Sequence, residues 1–195
     1  MLRLKKEYLQ NLRKRNDMKT RWQDWSGDAV ENLTLRETQE GIFVRSIISS
    51  KQKVPFTVKY TIVCDSSWRV RNFNIELVEP KKVFELESDG FGRWSDNSGI
   101  ITRLNGAIDI DITATPFTNT LPIRRLKLGK KQSQEFLAVY IKVPELDVST
   151  NRQRYTCLIP NKRYRFESID SNFIRDIEVD EHGLVLIYPG LFKRM

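Results

Sequence analysis

From residue 42 onward the chain alternates apolar and polar side chains with a period of two, which places one set of side chains on each face of an extended strand. Phe56, Val58, Tyr60 and Ile62 alternate with Thr57, Lys59 and Thr61, and Ile108, Ile110 and Ile112 alternate with Asp109 and Asp111. Leu137, Val139, Ile141 and Val143 repeat the pattern, as do residues 153–159, 164–166, 173–179 and 184–188. Each run is short and stops at a turn signal: Asp89-Gly90, Asn97-Ser98-Gly99, Asn105-Gly106, Pro160-Asn161 and His182-Gly183. The pattern predicts a mainly β fold built on an antiparallel sheet of about a dozen or more strands. Asn105-Gly106 reads as a type I′ hairpin turn, because both residue types accept positive φ. Between Trp68 and Leu77 the apolar phase moves from even to odd positions, which predicts a bulge near Arg71 or Asn72. A sheet this large must curl or close on itself, giving a roll or barrel-like form.

Two segments break the pattern. Residues 118–126 read as one internal helix, with Thr118 or Asn119 as its cap and Pro122 in its first turn. Leu121, Ile123 and Leu126 would cover the concave face of the curled sheet. Leu4, Tyr8 and Leu12 recur every four residues, so an amphipathic N-terminal helix is expected over 2–15.

Charge sharpens the division into parts. Of the formal net charge of +8, residues 1–21 carry +6, so the body is close to neutral. A basic extension over 1–21 and a single domain over 22–195 follow, with Met18 as an alternative start. The neutral body argues against a specific nucleic-acid partner, because phosphate binding needs a concentrated basic patch. The extension could give weak membrane-surface contact through residues 3–21. The longest strongly apolar run, residues 184–188, is far short of the roughly 20 residues that a membrane helix needs. Cys64 and Cys157 lack C-x-x-C spacing and histidine neighbours, which argues against a metal site and for free thiols in the cytoplasm. No P-loop, G-x-S-x-G elbow or dinucleotide fingerprint occurs, so no cofactor is implied.

The run Asp109-Ile-Asp-Ile-Thr-Ala-Thr-Pro-Phe-Thr-Asn-Thr-Leu-Pro-Ile-Arg-Arg-Leu126 resembles the signature stretch of a bacterial family labelled glycolipid-binding. Cys64-Asp65 with Trp68, Gly90-Phe-Gly-Arg-Trp94, Gln153 with Tyr155-Thr156, and Gly183-Leu-Val185 before Tyr188-Pro-Gly190 fit the same family. The resemblance starts near Trp22 and runs to the C-terminus. It implies a spiral β-roll, many strands wrapped around one helix, assembled as a homodimer, and a ligand that is a glycolipid or other amphiphile.

The residues themselves leave alternatives open. Asp109 and Asp111 share a strand face about 6.5–7 Å apart. That separation suits a polar sheet face, a pair of sugar-hydroxyl ligands, partners for Arg93, Arg124 or Arg125, or the two carboxylates of a sugar-conjugate hydrolase. Arg124 and Arg125 lie about 100° apart on a helix, so one of them at most faces inward. Asp65, Thr118 and Asn119 add polar groups, and Trp68, Trp94, Tyr155 and Tyr188 add flat apolar faces of the kind that line pockets. Three functions therefore compete: a non-enzymatic carrier of an amphiphile, a hydrolase acting through Asp109 and Asp111, and a dimerising module with a solid core.

Overall fold

The computed structural model describes residues 17–195. The helix expected over 2–15, and most of the segment assigned to membrane-surface contact, lie outside the described residues. The strands are β1 (Met18–Asp24), β2 (Ala29–Glu37), β3 (Ile42–Ser50), β4 (Phe56–Cys64), β5 (Val70–Leu77), β6 (Lys82–Ser88), β7 (Trp94–Asp96) and β8 (Gly99–Ile100). They continue as β9 (Ala107–Ile112), β10 (Ser133–Lys142), β11 (Asp147–Ile159), β12 (Arg163–Ser168), β13 (Phe173–Val179), β14 (Val185–Tyr188) and β15 (Phe192–Arg194). Helix α1 (Thr120–Leu126) follows a single 3₁₀ turn, Phe117–Asn119.

All these strands join one 15-stranded sheet in the order β8-β7-β6-β5-β4-β3-β2-β1-β15-β14-β13-β12-β11-β10-β9. The expected curled sheet around one helix is present, and the phase change in β5 is a bulge. Val63 pairs with Asn72 and Cys64 with Val70, so Arg71 is the extra residue. The sheet is not wholly antiparallel, because β9 and β10 run parallel. A crossover carrying α1 joins them and returns the chain to the same end, as parallel neighbours require.

Because neighbouring residues on a strand point to opposite faces, two adjacent buried residues mean that both faces are covered. Asp109 and Ile110 on β9 are both buried, as are Ala138 and Val139 on β10. These strands are therefore the inner wrap of a spiral. Ile110, Ile112, Val139 and Ile141 pack outward into the larger core with Leu33, Ile48, Tyr60 and Ile75. On the other face, β10 to β15 enclose a smaller core of Tyr155, Tyr164, Phe166, Ile177 and Tyr188, plugged by Ile123 of α1.

Asn105-Gly106 does not make a hairpin. Asn105 has φ −58° and ψ 136° and Gly106 has φ 88°, a type II shape that leads from a 3₁₀ turn (Thr102–Leu104) into β9. The reason is a backbone approach: the Gly106 N–H donates to Gly92 O at 2.8 Å, and a Cβ on Gly92 would meet Gly106 Cα at 3.0 Å. Beside it the Trp94 indole N–H donates to Ala107 O at 2.7 Å. These contacts tie the β7 end of the sheet to its β9 end without closing it into a barrel.

Candidate functional site

The face of β9 that carries Asp109 and Asp111 looks into the smaller core. Asp111 lies opposite Tyr140 on β10, and Gln153 and Tyr155 follow on β11. Phe136, Tyr155, Phe166, Phe173, Tyr188 and Phe192 then form a row with one ring on each strand from β10 to β15. Successive ring centroids along it lie 5.4–6.5 Å apart.

Above this row the polar groups satisfy one another. Arg125 holds Asp109 in a fork, with Nη2 donating to Oδ2 at 2.7 Å and Nε to Oδ1 at 3.1 Å, and its guanidinium lies 5.1 Å from the Phe136 ring centre. Gln153 donates to Asp111 Oδ2 at 2.7 Å and Thr118 to Oδ1 at 3.3 Å. Burial raises both carboxyls above their ordinary values. The Arg125 guanidinium pulls Asp109 back down, and the hydrogen bonds from Gln153 and Thr118 do the same for Asp111. Tyr155 donates to Asn119 Oδ1 at 2.7 Å. The expected cap on α1 is therefore not made. Asn119 is already helical at φ −65° and ψ −27°, and its side chain serves Tyr155 and Pro116 O instead.

Asp109, Asp111, Thr118, Asn119, Arg125, Tyr155 and Tyr188 thus gather on one inner face. The other candidates do not join them. Arg124 turns outward to Glu37 at 3.0 Å and stacks 4.6 Å from the centre of Trp68. Asp65 accepts the backbone N–H groups of Ser67 and Arg69, in the turn that places Trp68 at φ 64°. The Arg93 backbone donates to Asp89, and Trp94 is the indole that ties the sheet ends. Only one of the adjacent arginines faces inward, as the helical spacing requires.

Sequence reasoning missed Glu31, which is fully buried on β2 without a cation. Ser46 and Tyr60 donate to its Oε1 at 2.7 and 2.6 Å, and Thr115 donates to Oε2 at 2.6 Å. Desolvation pushes its carboxyl up to about 7, while the three hydroxyls pull it down. The available signal was phase, since Glu31 shares the inward parity of Leu33 and Leu35.

At one end of the roll, beyond the C-terminal ends of β9 and β10, lies an open recess of about 740 Å³. Its walls include Trp25, Val54, Phe56, Ala114, Val143 and Leu191, with Gln52, Lys53 and Glu145 among them. Phe192, the last ring of the aromatic row, also lines it. Among the described residues no three His, Cys, Asp or Glu side chains gather closely enough to hold a metal ion. No helix there is long and apolar enough to cross a membrane.

The described residues thus form a curled sheet around one helix, with a mainly apolar recess at one end and an aromatic row behind it. The chain belongs to the family described as "Putative glycolipid-binding", whose profile matches residues 19–194. It is similar to the crystal structure of a DUF1089 family protein from Pseudomonas aeruginosa, at 35% identity and a TM-score of 0.74. That match covers 85% of this chain and 92% of the other. No curated protein matches the chain.

Two outcomes follow from the buried groups. Arg125→Met leaves Asp109 buried without its cation, so it must take up a proton or remain an unpaired charge, and chemical denaturation near neutral pH should show a loss of about 3–5 kcal/mol. Arg124→Met, next to it on the surface, should cost about 1 kcal/mol or less. Glu31 has a folded pKa above its ordinary 4.5, so its contribution to stability is full below 4.5 and is lost as pH rises through about 7. Relative to Glu31→Gln, the unmodified chain should lose up to about 3 kcal/mol between pH 5 and pH 8, read from denaturation at the two pH values.

Proposed function

We propose that this protein is a non-enzymatic carrier of an amphiphilic ligand, with a glycolipid as the fitting class. The observation that carries the reading is the recess of about 740 Å³, whose walls are mainly apolar and which borders the aromatic row through Phe192. An acyl chain gains roughly 0.8 kcal/mol for each CH₂ that it buries against such walls. Lys53, Gln52 and Glu145 at the same recess give a polar headgroup charged and hydrogen-bonding partners. Asp111 and Tyr188 form the inner end of the site. Asp111 lies two residues before Thr113 of the recess wall, and the Tyr188 ring centre is 6.3 Å from that of Phe192. The Asp109–Arg125 fork ties the end of α1 to β9. Asp109 and Asp111 lean to the same side of one strand and each is held by its own partners, which disfavours the hydrolase reading.

A reducing, cytoplasmic compartment is supported by Cys64 and Cys157, both buried and unpaired. A homodimer is supported by the family resemblance and by exposed Ile100 on the edge strand β8.

Native mass spectrometry against a panel of glycolipids and phospholipids tests the carrier. The unmodified chain should retain or titrate an amphiphile. Ala114→Trp, which fills the recess, and Val54→Asp, which charges its wall, should weaken binding about tenfold or more with thermal midpoints shifted by only a few degrees. An absence of binding across the panel, or recess variants that bind like the unmodified chain, would contradict it.

A further inference from the structure

The opposite end of the roll holds a second recess, of about 500 Å³. It is walled by Met18, Lys19, Thr20 and Arg21 of β1, by Asp180, His182 and Leu184 of the β13–β14 turn, and by Arg194 and Met195. The pair β1–β15 is common to both recesses, since the first is reached at Asp24 and Phe192 and the second at Met18 and Arg194. The separation along β1 is roughly 20 Å by strand rise.

Two residues that line this recess, Thr20 and Arg194, carry polar atoms that the fold leaves without partners. Nε and Nη2 of Arg194 and the hydroxyl oxygen of Thr20 are buried and meet no hydrogen-bond partner among the described residues. Thr20 itself is 9% exposed. Buried donors of this kind are rare in native proteins, and each one requires an account. Nε–H and one Nη2–H lie on a single edge of the guanidinium plane, and that edge matches the two oxygens of a carboxylate or phosphate.

The surroundings hold that edge in place. On the other side of the plane, Nη1 donates to Asp180 Oδ2 at 2.6 Å. Asp180 is fixed in turn through Oδ1, which accepts the backbone N–H groups of His182 at 3.0 Å and Leu184 at 2.9 Å. The guanidinium carbon lies 5.6 Å from the centre of the Trp22 ring, whose indole N–H is anchored on Val185 O at 2.6 Å. One nitrogen is therefore committed, the plane is oriented, and the other edge has no hydrogen-bond partner. Lys19 and Arg21 also line the recess from the exposed face of β1, opposite Thr20, and Asp180 is already engaged by Arg194.

We infer that the second recess is an oxyanion site, in which the free edge of Arg194 and the Thr20 hydroxyl together receive a phosphate-type group. The group is either the phosphate of a lipid headgroup or a free phosphate, since the recognising chemistry is the same for both. The site does not depend on the amphiphile recess at the other end, and its test uses a different probe.

The test is a titration of the full chain with inorganic phosphate, followed by calorimetry and by the side-chain NMR signals of Arg194. Saturable binding is expected. Arg194→Lys keeps the charge but removes the two-pronged edge, and should weaken binding about tenfold or more. Thr20→Val, close to isosteric, should weaken it about three- to tenfold and serves as the readout should the arginine variant fold poorly. Phosphatidylcholine vesicles with and without phosphatidic acid identify the source. Co-sedimentation that needs phosphatidic acid and is reversed by inorganic phosphate marks a headgroup, whereas phosphate saturation without co-sedimentation marks a free anion. No saturable phosphate binding, or binding unchanged in both variants, would overturn the assignment.

Discussion

The double burial of β9 and β10 is the constraint on which the rest of the molecule depends. A strand with both faces covered needs a sheet on each side, and a single sheet supplies both only by winding around its own end. Ile110 and Ile112 press against the core of β2 to β6, while Asp109 and Asp111 on the same strand face β11 to β15. The two cores are thus two sides of one inner wrap. The parallel pairing, the helix between β9 and β10, and the bridges from Trp94 and Gly92 across the sheet ends all serve that winding.

An inner wrap also decides the fate of polar groups. Buried acids must find partners or hold their protons, and the structure uses three arrangements. Asp109 has a cation in Arg125, Asp111 has an amide and a hydroxyl, and Glu31 has three hydroxyls and a carboxyl pushed up to about 7. Each joins elements distant in sequence. Thr115, which donates to Glu31, fixes the segment leading from β9 to α1, and Arg125 fixes the end of that helix over β9. Arg194 is the exception, with part of its hydrogen-bonding capacity unspent beside a recess.

Much of this was legible because period-two alternation is a local property. The strand-rich architecture, the Arg71 bulge and the single internal helix all follow from phase and breakers along the chain. What sequence did not show depends on which distant strands meet. Asn105-Gly106 carries a hairpin composition, yet Gly92 approaches from another part of the chain and sets a different turn. Asn119 has the composition of a cap, but Tyr155, 36 positions away, takes its side-chain oxygen. Of the candidate residues, Asp109 and Asp111 on β9, Thr118 and Asn119 in the 3₁₀ turn, Arg125 on α1, Tyr155 on β11 and Tyr188 on β14 converge because these elements share the inner face. Arg93 and Arg124 were candidate partners for the aspartates only by charge, and the winding sends them elsewhere. Glu31 was hidden because its hydroxyl partners come from β3, β4 and the β9–α1 connection.

The winding leaves two open ends: an apolar recess where β9 and β10 finish, and a second recess beside Arg194 where β1 begins. Both rest on the inner wrap being a fixed part of the fold. Native-state hydrogen exchange tests that most directly. The backbone amides of Val139 and Ile141 in β10 should exchange only through global unfolding, at the same free energy as the central amides of β3 and β4. Exchange of these β10 amides through a separate opening, at a free energy well below that of β3 and β4, would contradict the account.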